Sequence, residues 1–169
     1  MNLYVIYIGG RMEKSFIELH DMRFVIAEKI EDTYEELKSQ WWGIPESLHL
    51  DCWGALKSAD GHNIDLRKEP SHDINHLYFV NLGGYNSQEF TEHHKNIFVI
   101  ASNKKEAKGK ALQQISDWES PHRDYLYEVE TCLSINTISE KKGFYIHLEE
   151  SKNPLSFDFI CQYVPIGKI

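Results

Sequence analysis

The segment Leu3-Tyr4-Val5-Ile6-Tyr7-Ile8-Gly9-Gly10 recurs as Leu77-Tyr78-Phe79-Val80-Asn81-Leu82-Gly83-Gly84, an offset of 74 residues. Without a gap, the same offset aligns Phe16 with Phe90, Glu18 with Glu92, His20 with His94, and Phe24-Val25-Ile26-Ala27 with Phe98-Val99-Ile100-Ala101. Repetition at a fixed period restricts the chain to two versions of one supersecondary plan, because each version has the same apolar faces to bury. Looser landmarks follow: Trp42 and Trp118, Pro45 and Pro121, His49-Leu50-Asp51 and His122-Arg123-Asp124, and Gly61…Ile64…Leu66 with Gly143…Ile146…Leu148.

The opening apolar run of each half predicts a strand buried on both faces, with Gly9-Gly10 and Gly83-Gly84 as turns after it. Met22–Ala27 and Ile97–Ala101, rich in β-branched and aromatic residues, predict second strands. Helices are expected from about Glu31 to Trp42 and from Asn103, as N-cap, to Trp118. Trp53–Lys57 and His62–Leu66 are expected to form a hairpin around Ala59-Asp60-Gly61, with Thr131–Ile138 and Phe144–Leu148 as its counterpart. The expected fold class is α+β: an internally duplicated strand-strand-helix-strand-strand unit with a mostly antiparallel sheet. The first repeat spans 1–73, the second 74–150, and the extension 151–169 supplies one added strand. Halves of about 75 residues are marginal alone, so they are expected to pack as one pseudo-symmetric globular unit. The added strand either covers a sheet edge or pairs with a second copy to give a homodimer.

With 41% hydrophobic and 26% charged residues, the 169-residue chain has globular rather than disordered composition. A net charge of -8 speaks against nucleic-acid and anionic-membrane partners, which favour Lys/Arg-rich faces. The basic run Lys104, Lys105, Lys108 and Lys110 fits a solvated helix face. No stretch approaches the ~20 apolar residues of a membrane span, and the apolar start has no basic segment before it, so a cytoplasmic location is expected. Cys52, Cys132 and Cys161 are odd in number and lack C-x-x-C spacing, so all three are expected to be reduced.

Chemistry concentrates in four short pairs: Glu18-x-His20 and His49-x-Asp51 in the first half, Glu92-x-His94 and His122-x-Asp124 in the second. In extended chain, residues i and i+2 share a face, so each pair can aim two donors at one point. Imidazole with carboxylate suits a divalent metal such as zinc, iron or manganese. His20, His49 and Asp51, with Glu18, form one candidate ligand set, and His94, His122 and Asp124, with Glu92, the other; Asp21 and His93 lie beside them. The same groups also suit an acid/base pair, or hydrogen-bond clamps on irregular loops. No H-E-x-x-H, C-x-x-C or nucleophile elbow is present. The first expectation is therefore a non-catalytic binding or interaction module, its small-molecule or protein ligand unspecified, with no established cofactor. The alternative is a metal-dependent, hydrolase-like enzyme using the His/carboxylate cluster.

Leu-Tyr-x-x-x-x-Gly-Gly, then Glu18-Leu19-His20-Asp21 before Phe24-Val25, then Trp42-Gly43-x-Pro45 and Leu48-His49-x-Asp51-x-Trp53, resembles the bacterial domain-of-unknown-function family numbered 1543, in two tandem copies. The second copy departs from the first: Leu19-His20-Asp21 becomes His93-His94-Lys95, and Asp51-Cys52-Trp53 becomes Asp124-Tyr125-Leu126. The resemblance implies a small bacterial cytosolic protein and carries no activity, substrate or cofactor.

Overall fold

The computed structural model describes residues 1–85, 88–114 and 129–167. In chain order the elements are β1 (Asn2–Gly10), β2 (Leu19–Ala27), α1 (Tyr34–Gln40), β3 (His49–Ala55), β4 (Ser58–Ala59), β5 (His62–Arg67), β6 (His76–Tyr85), β7 (Glu92–Ala101), α2 (Lys104–Gln113), β8 (Val129–Ser134), α3 (Ile135–Lys141), β9 (Tyr145–Glu150) and β10 (Phe159–Pro165). The chain is thus mixed helix and sheet, and the β1–β2, β1–β3, β3–β10, β5–β9, β6–β7 and β6–β8 pairings are all antiparallel. Among the described residues no helix is long and apolar enough to cross a membrane.

The chain divides into two compact units, Met1–Ser58 with Leu155–Ile169, and Ala59–Pro154. In the first, a sheet of order β10-β3-β1-β2 packs one face on α1. Ile6, Ile8, Leu48 and Leu50 meet Leu37 of α1, Val25 and Ile166 there, all of them buried. Strand alternation then turns Tyr7, Gly9, His49 and Asp51 to the opposite face. In the second unit, Ala107 and Ala111, one helical turn apart on α2, pack on Val80, Leu82, Ile97 and Val99 of the β7-β6-β8 sheet. The other sheet of that unit has the order β4-β5-β9.

Asn103 caps α2 as expected, its side chain accepting from the Glu106 amide at 3.0 Å. Glu106 in turn accepts from the amide of Ser102, the residue before the cap, at 2.9 Å and from its hydroxyl. Those bonds hold the Glu106 carboxyl below the usual carboxylate range, with Lys110 adding to the effect. α2 is described to Gln113; Trp118 and Pro121 lie outside the described residues. The first helix is shorter than its periodicity suggests, with a 3₁₀ turn at Ile30–Thr33 in place of its first turn. It ends where Trp41 adopts an extended backbone, which lets the indole N–H donate to the Ile44 carbonyl at 3.2 Å.

Three local expectations are corrected. Gly9-Gly10 and Gly83-Gly84 lie inside β1 and β6 rather than in turns, and the positive-φ glycines are Gly61 and Gly143. The Ala59-Asp60-Gly61 turn joins β4 to β5, and β5 pairs with β9 (His62↔Glu150 through Arg67↔Tyr145) rather than with the Trp53–Lys57 stretch. Both flanks of β3 are already taken by β1 and β10, so that hairpin has no free edge to use. Ile135–Lys141 is helix α3 rather than the end of a strand. It buries Ile135, Asn136 and Ser139, and the Asn136 side-chain carbonyl accepts from the Leu77 amide at 2.9 Å.

The paired strands of the two units use registers that differ by the same 74 residues. Asn2↔Ala27 and Gly9↔His20 correspond to His76↔Ala101 and Gly83↔His94. β1 shifts register against β3 between Tyr7 and Ile8, and β6 does so against β8 between Asn81 and Leu82.

Candidate functional site

Gly9 lies between His20 of β2 and His49 of β3, as the direct cross-strand partner of both. Direct partners share a sheet face, so two imidazoles lean over a residue with no side chain. An added Cβ at Gly9 would stand 2.7 Å from His49 Nε2, 2.7 Å from His20 Cδ2 and 2.8 Å from Asp51 Oδ2. The glycine is needed for this close approach and not for its backbone angles.

One donor atom each from Glu18, His20 and His49 lies within 4.8 Å of the other two. Asp51 Oδ2 is 3.3 Å from His20 Nε2 and 3.5 Å from His49 Nε2, and Glu18 Oε2 is 3.7 Å from His49 Nε2. His49 is 1% exposed, whereas Glu18 is 46% exposed, so the cluster is closed at its base and open at one side. Asp51 reaches the cluster through a bulge. Leu50 pairs with Ile8 and Cys52 with Tyr7, which leaves Asp51 without a partner on β1.

The ring nitrogen His49 Nδ1 lies 2.8 Å from the Ser47 carbonyl oxygen. A carbonyl only accepts, so Nδ1 carries a proton there, and Nε2 is the ring atom that faces two carboxylates. His49 Nε2 and Asp51 Oδ2 are both buried and make no hydrogen bond. A proton shared between them would draw the atoms to about 2.7–2.9 Å. The observed separations of 3.3, 3.5 and 3.7 Å are longer than that, and are three of the six edges of a four-ligand set, whose tetrahedral value is about 3.3–3.6 Å for bonds of about 2.0–2.2 Å.

Two aromatic rings flank the cluster. Tyr7 stacks on His20 with centroids 5.3 Å apart, and Tyr163 of β10 lies on His49 at 4.4 Å. Burial, then the charges of Asp51 and Asp21, push the Tyr7 phenol above its ordinary value, which keeps it protonated at neutral pH. The pattern of i and i+2 pairs in the sequence points to Glu18, His20, His49 and Asp51. It has no signal for Gly9 as the floor or for Tyr163, which arrives from more than a hundred residues away.

The other expected residues are placed differently. Asp21 accepts from the Met22 amide at 2.7 Å and is paired with Arg23, outside the cluster. In the second unit, His94 Nε2 is 3.9 Å from Glu92 Oε2 and His93 Nε2 is 3.1 Å from Glu89 Oε2. His122 and Asp124 lie outside the described residues. Strand pairing adds a correspondence of its own. Leu82 pairs with Val129 and Asn81 with Thr131, so the backbone position of Glu130 matches the unpaired position of Asp51.

The expectation of three reduced cysteines is corrected: Cys52 and Cys161 form a disulfide, and Cys132 is free. They are direct partners across β3 and β10, a proximity that a separation of 109 residues hides in the sequence.

Residues 15–66, which contain all four clustered side chains, match the Domain of Unknown Function DUF1543. A crystal structure of protein Il1583 from Idiomarina loihiensis is 31% identical in sequence, with a TM-score of 0.72. The match covers 98% of this chain and 97% of that one. The chain belongs to the same family as Il1583. Its DUF1543 segment spans β2 through β3 and into β5, and so carries Glu18, His20, His49 and Asp51, while Gly9 and Tyr163 lie outside it. No curated protein matches this chain.

Proposed function

We propose that Glu18, His20, His49 and Asp51 bind one divalent transition metal ion, with the open side of the cluster left for water or a substrate. The observation that carries this reading is the pair of buried polar atoms without a hydrogen bond, His49 Nε2 and Asp51 Oδ2, 3.5 Å apart. Leaving such a group unsatisfied costs about 1–3 kcal/mol, and a cation coordinated by both removes that cost. The bond from His49 Nδ1 to the Ser47 carbonyl is the support a metal-bound imidazole ordinarily has, since it fixes the tautomer that coordinates. Two imidazoles with carboxylates suit zinc, iron or manganese. The half-exposed Glu18 is the ligand that can give its place to a water, and the three that remain then suit activation of that water, hence hydrolytic chemistry.

Elemental analysis of tag-free protein tests the reading. Near-stoichiometric zinc, iron or manganese is expected, with loss in His49→Ala and in Asp51→Ala. Protein that stays metal-free after incubation with each ion and dialysis would overturn it.

The 74-residue register correspondence also supports a duplication in the origin of the chain, with β1–β2–β3 and β6–β7–β8 as its two products. The second product keeps Gly83 opposite His94.

A further inference from the structure

We propose that the Cys52–Cys161 disulfide is a redox latch on this metal site, so that a dithiol reductant weakens the hold of the site on its ion; the proposal rests on the metal reading above. Asp51 is the weak point of the ligand set. It has no direct partner on β1, where pairing passes from Leu50↔Ile8 to Cys52↔Tyr7. Nor has it one on β10, where pairing passes from Leu50↔Val164 to Cys52↔Cys161. With no partner on either flank, its position is set by Leu50 before it and Cys52 after it. Leu50 is fully buried in the core, and Cys52 is tied covalently to β10.

The same bond also governs the second aromatic neighbour. Gln162 and Tyr163 fill the register shift of β10, between the disulfide at Cys161 and the pairing of Val164 with Leu50. From there the Tyr163 ring covers His49 at 4.4 Å. Opening the disulfide therefore loosens one end of the segment that carries Tyr163 and one end of the bulge that carries Asp51. β10 is the outer strand of its sheet, Cys161 is exposed and Cys52 half-buried, so a thiolate can reach the bond. In the exchange the dithiol gives two electrons and two protons to the sulfur–sulfur bond, Cys52 and Cys161 become thiols, and the reductant becomes a disulfide. Loss of support around a metal ligand typically lowers affinity by about 10–100-fold.

The test is a Zn²⁺ titration against a chromophoric chelator, run without oxygen after the reductant has been removed. It compares oxidised wild type, reduced wild type, the Cys52→Ser/Cys161→Ser double variant, Tyr163→Leu with its disulfide intact, and Cys132→Ser. Oxidised wild type and Cys132→Ser are expected to bind one Zn²⁺ with equal affinity. Reduced wild type, the double variant and Tyr163→Leu are expected to bind at least about 10-fold more weakly. Circular dichroism shows whether the sheet persists, and reduced wild type carries the comparison if the double variant fails to fold. Equal affinity in the oxidised and reduced wild type overturns the latch. So does tighter binding in reduced wild type that is lost in the double variant, because the thiols would then be ligands. Absence of Zn²⁺ binding in every form overturns the metal reading itself and the latch with it.

Discussion

Gly9 is the residue on which the site depends most sharply. A methyl group there would stand within 2.8 Å of three side-chain atoms of the cluster, a distance at which something has to move. Gly9→Ala is therefore expected to abolish metal uptake while costing the fold about 1–3 kcal/mol, the usual range for overpacking. Gly109→Ala is the control, because nothing lies within 4 Å of the added Cβ and a helix interior favours alanine by about 1 kcal/mol. Elemental analysis and thermal melts of the two variants check this. Metal retained at wild-type level in Gly9→Ala would mean that no ion sits over the glycine. In the sequence, the clustering residue types Glu18, His20, His49 and Asp51 were legible, since i and i+2 spacing in extended chain is a local property. The role of Gly9 was not, because a glycine at a strand end has the same local signature whether it turns the chain or makes room for neighbouring side chains.

Elements in this fold are joined by side chains as much as by ladders. The polar stretch before β6 is tied to β9 by Asp73, which accepts from the Leu148 amide at 3.1 Å and from Ser71 at 2.7 Å. The Ser71 hydroxyl chiefly, then the Leu148 amide, hold the Asp73 carboxyl below its ordinary value of 3.8. A carboxyl depressed in the folded state contributes stability above its unfolded value and loses it as pH falls through the folded one. The contribution of Asp73 should therefore be intact at neutral pH and vanish in the acid range below 3.8. Chemical denaturation across pH checks this: the acid limb of the stability curve should be shallower in Asp73→Asn than in wild type. Parallel limbs would mean that the Asp73 carboxyl is no more acidic in the folded chain than in the unfolded one. This connection, like the bonds from Ser102 to Glu106, is short-range or built from polar residues that propensity treats as loop. Only the cap was legible, because an asparagine directly before a helical run is a local signal.

At the scale of the whole molecule, the last residues complete the first unit. Val164 and Ile166 pack on its core, and the amides of Ile166 and Gly167 donate to the Leu48 carbonyl at 3.0 and 2.9 Å. Losing one large aliphatic side chain from a core costs about 2–5 kcal/mol, against a total stability of about 5–15 kcal/mol for a domain. Deleting residues 155–169 is thus expected to unfold the first unit. Hydrogen exchange should show lost protection at Val5, Ile6 and Ile8 while Phe79 and Val80 keep theirs. Unchanged protection at Ile6 and Ile8 would show that β10 is dispensable. The sequence by itself determined the apolar strands, the 74-residue offset of their pairing partners and the residue types of the cluster, since alternation, capping and repetition are written in neighbouring positions. Tertiary structure alone decided that β10 pairs with β3, that β5 leaves it for β9, and that Cys52 meets Cys161. Partner choice among strands depends on which edges remain free after the core has packed, and that is a property of the whole chain.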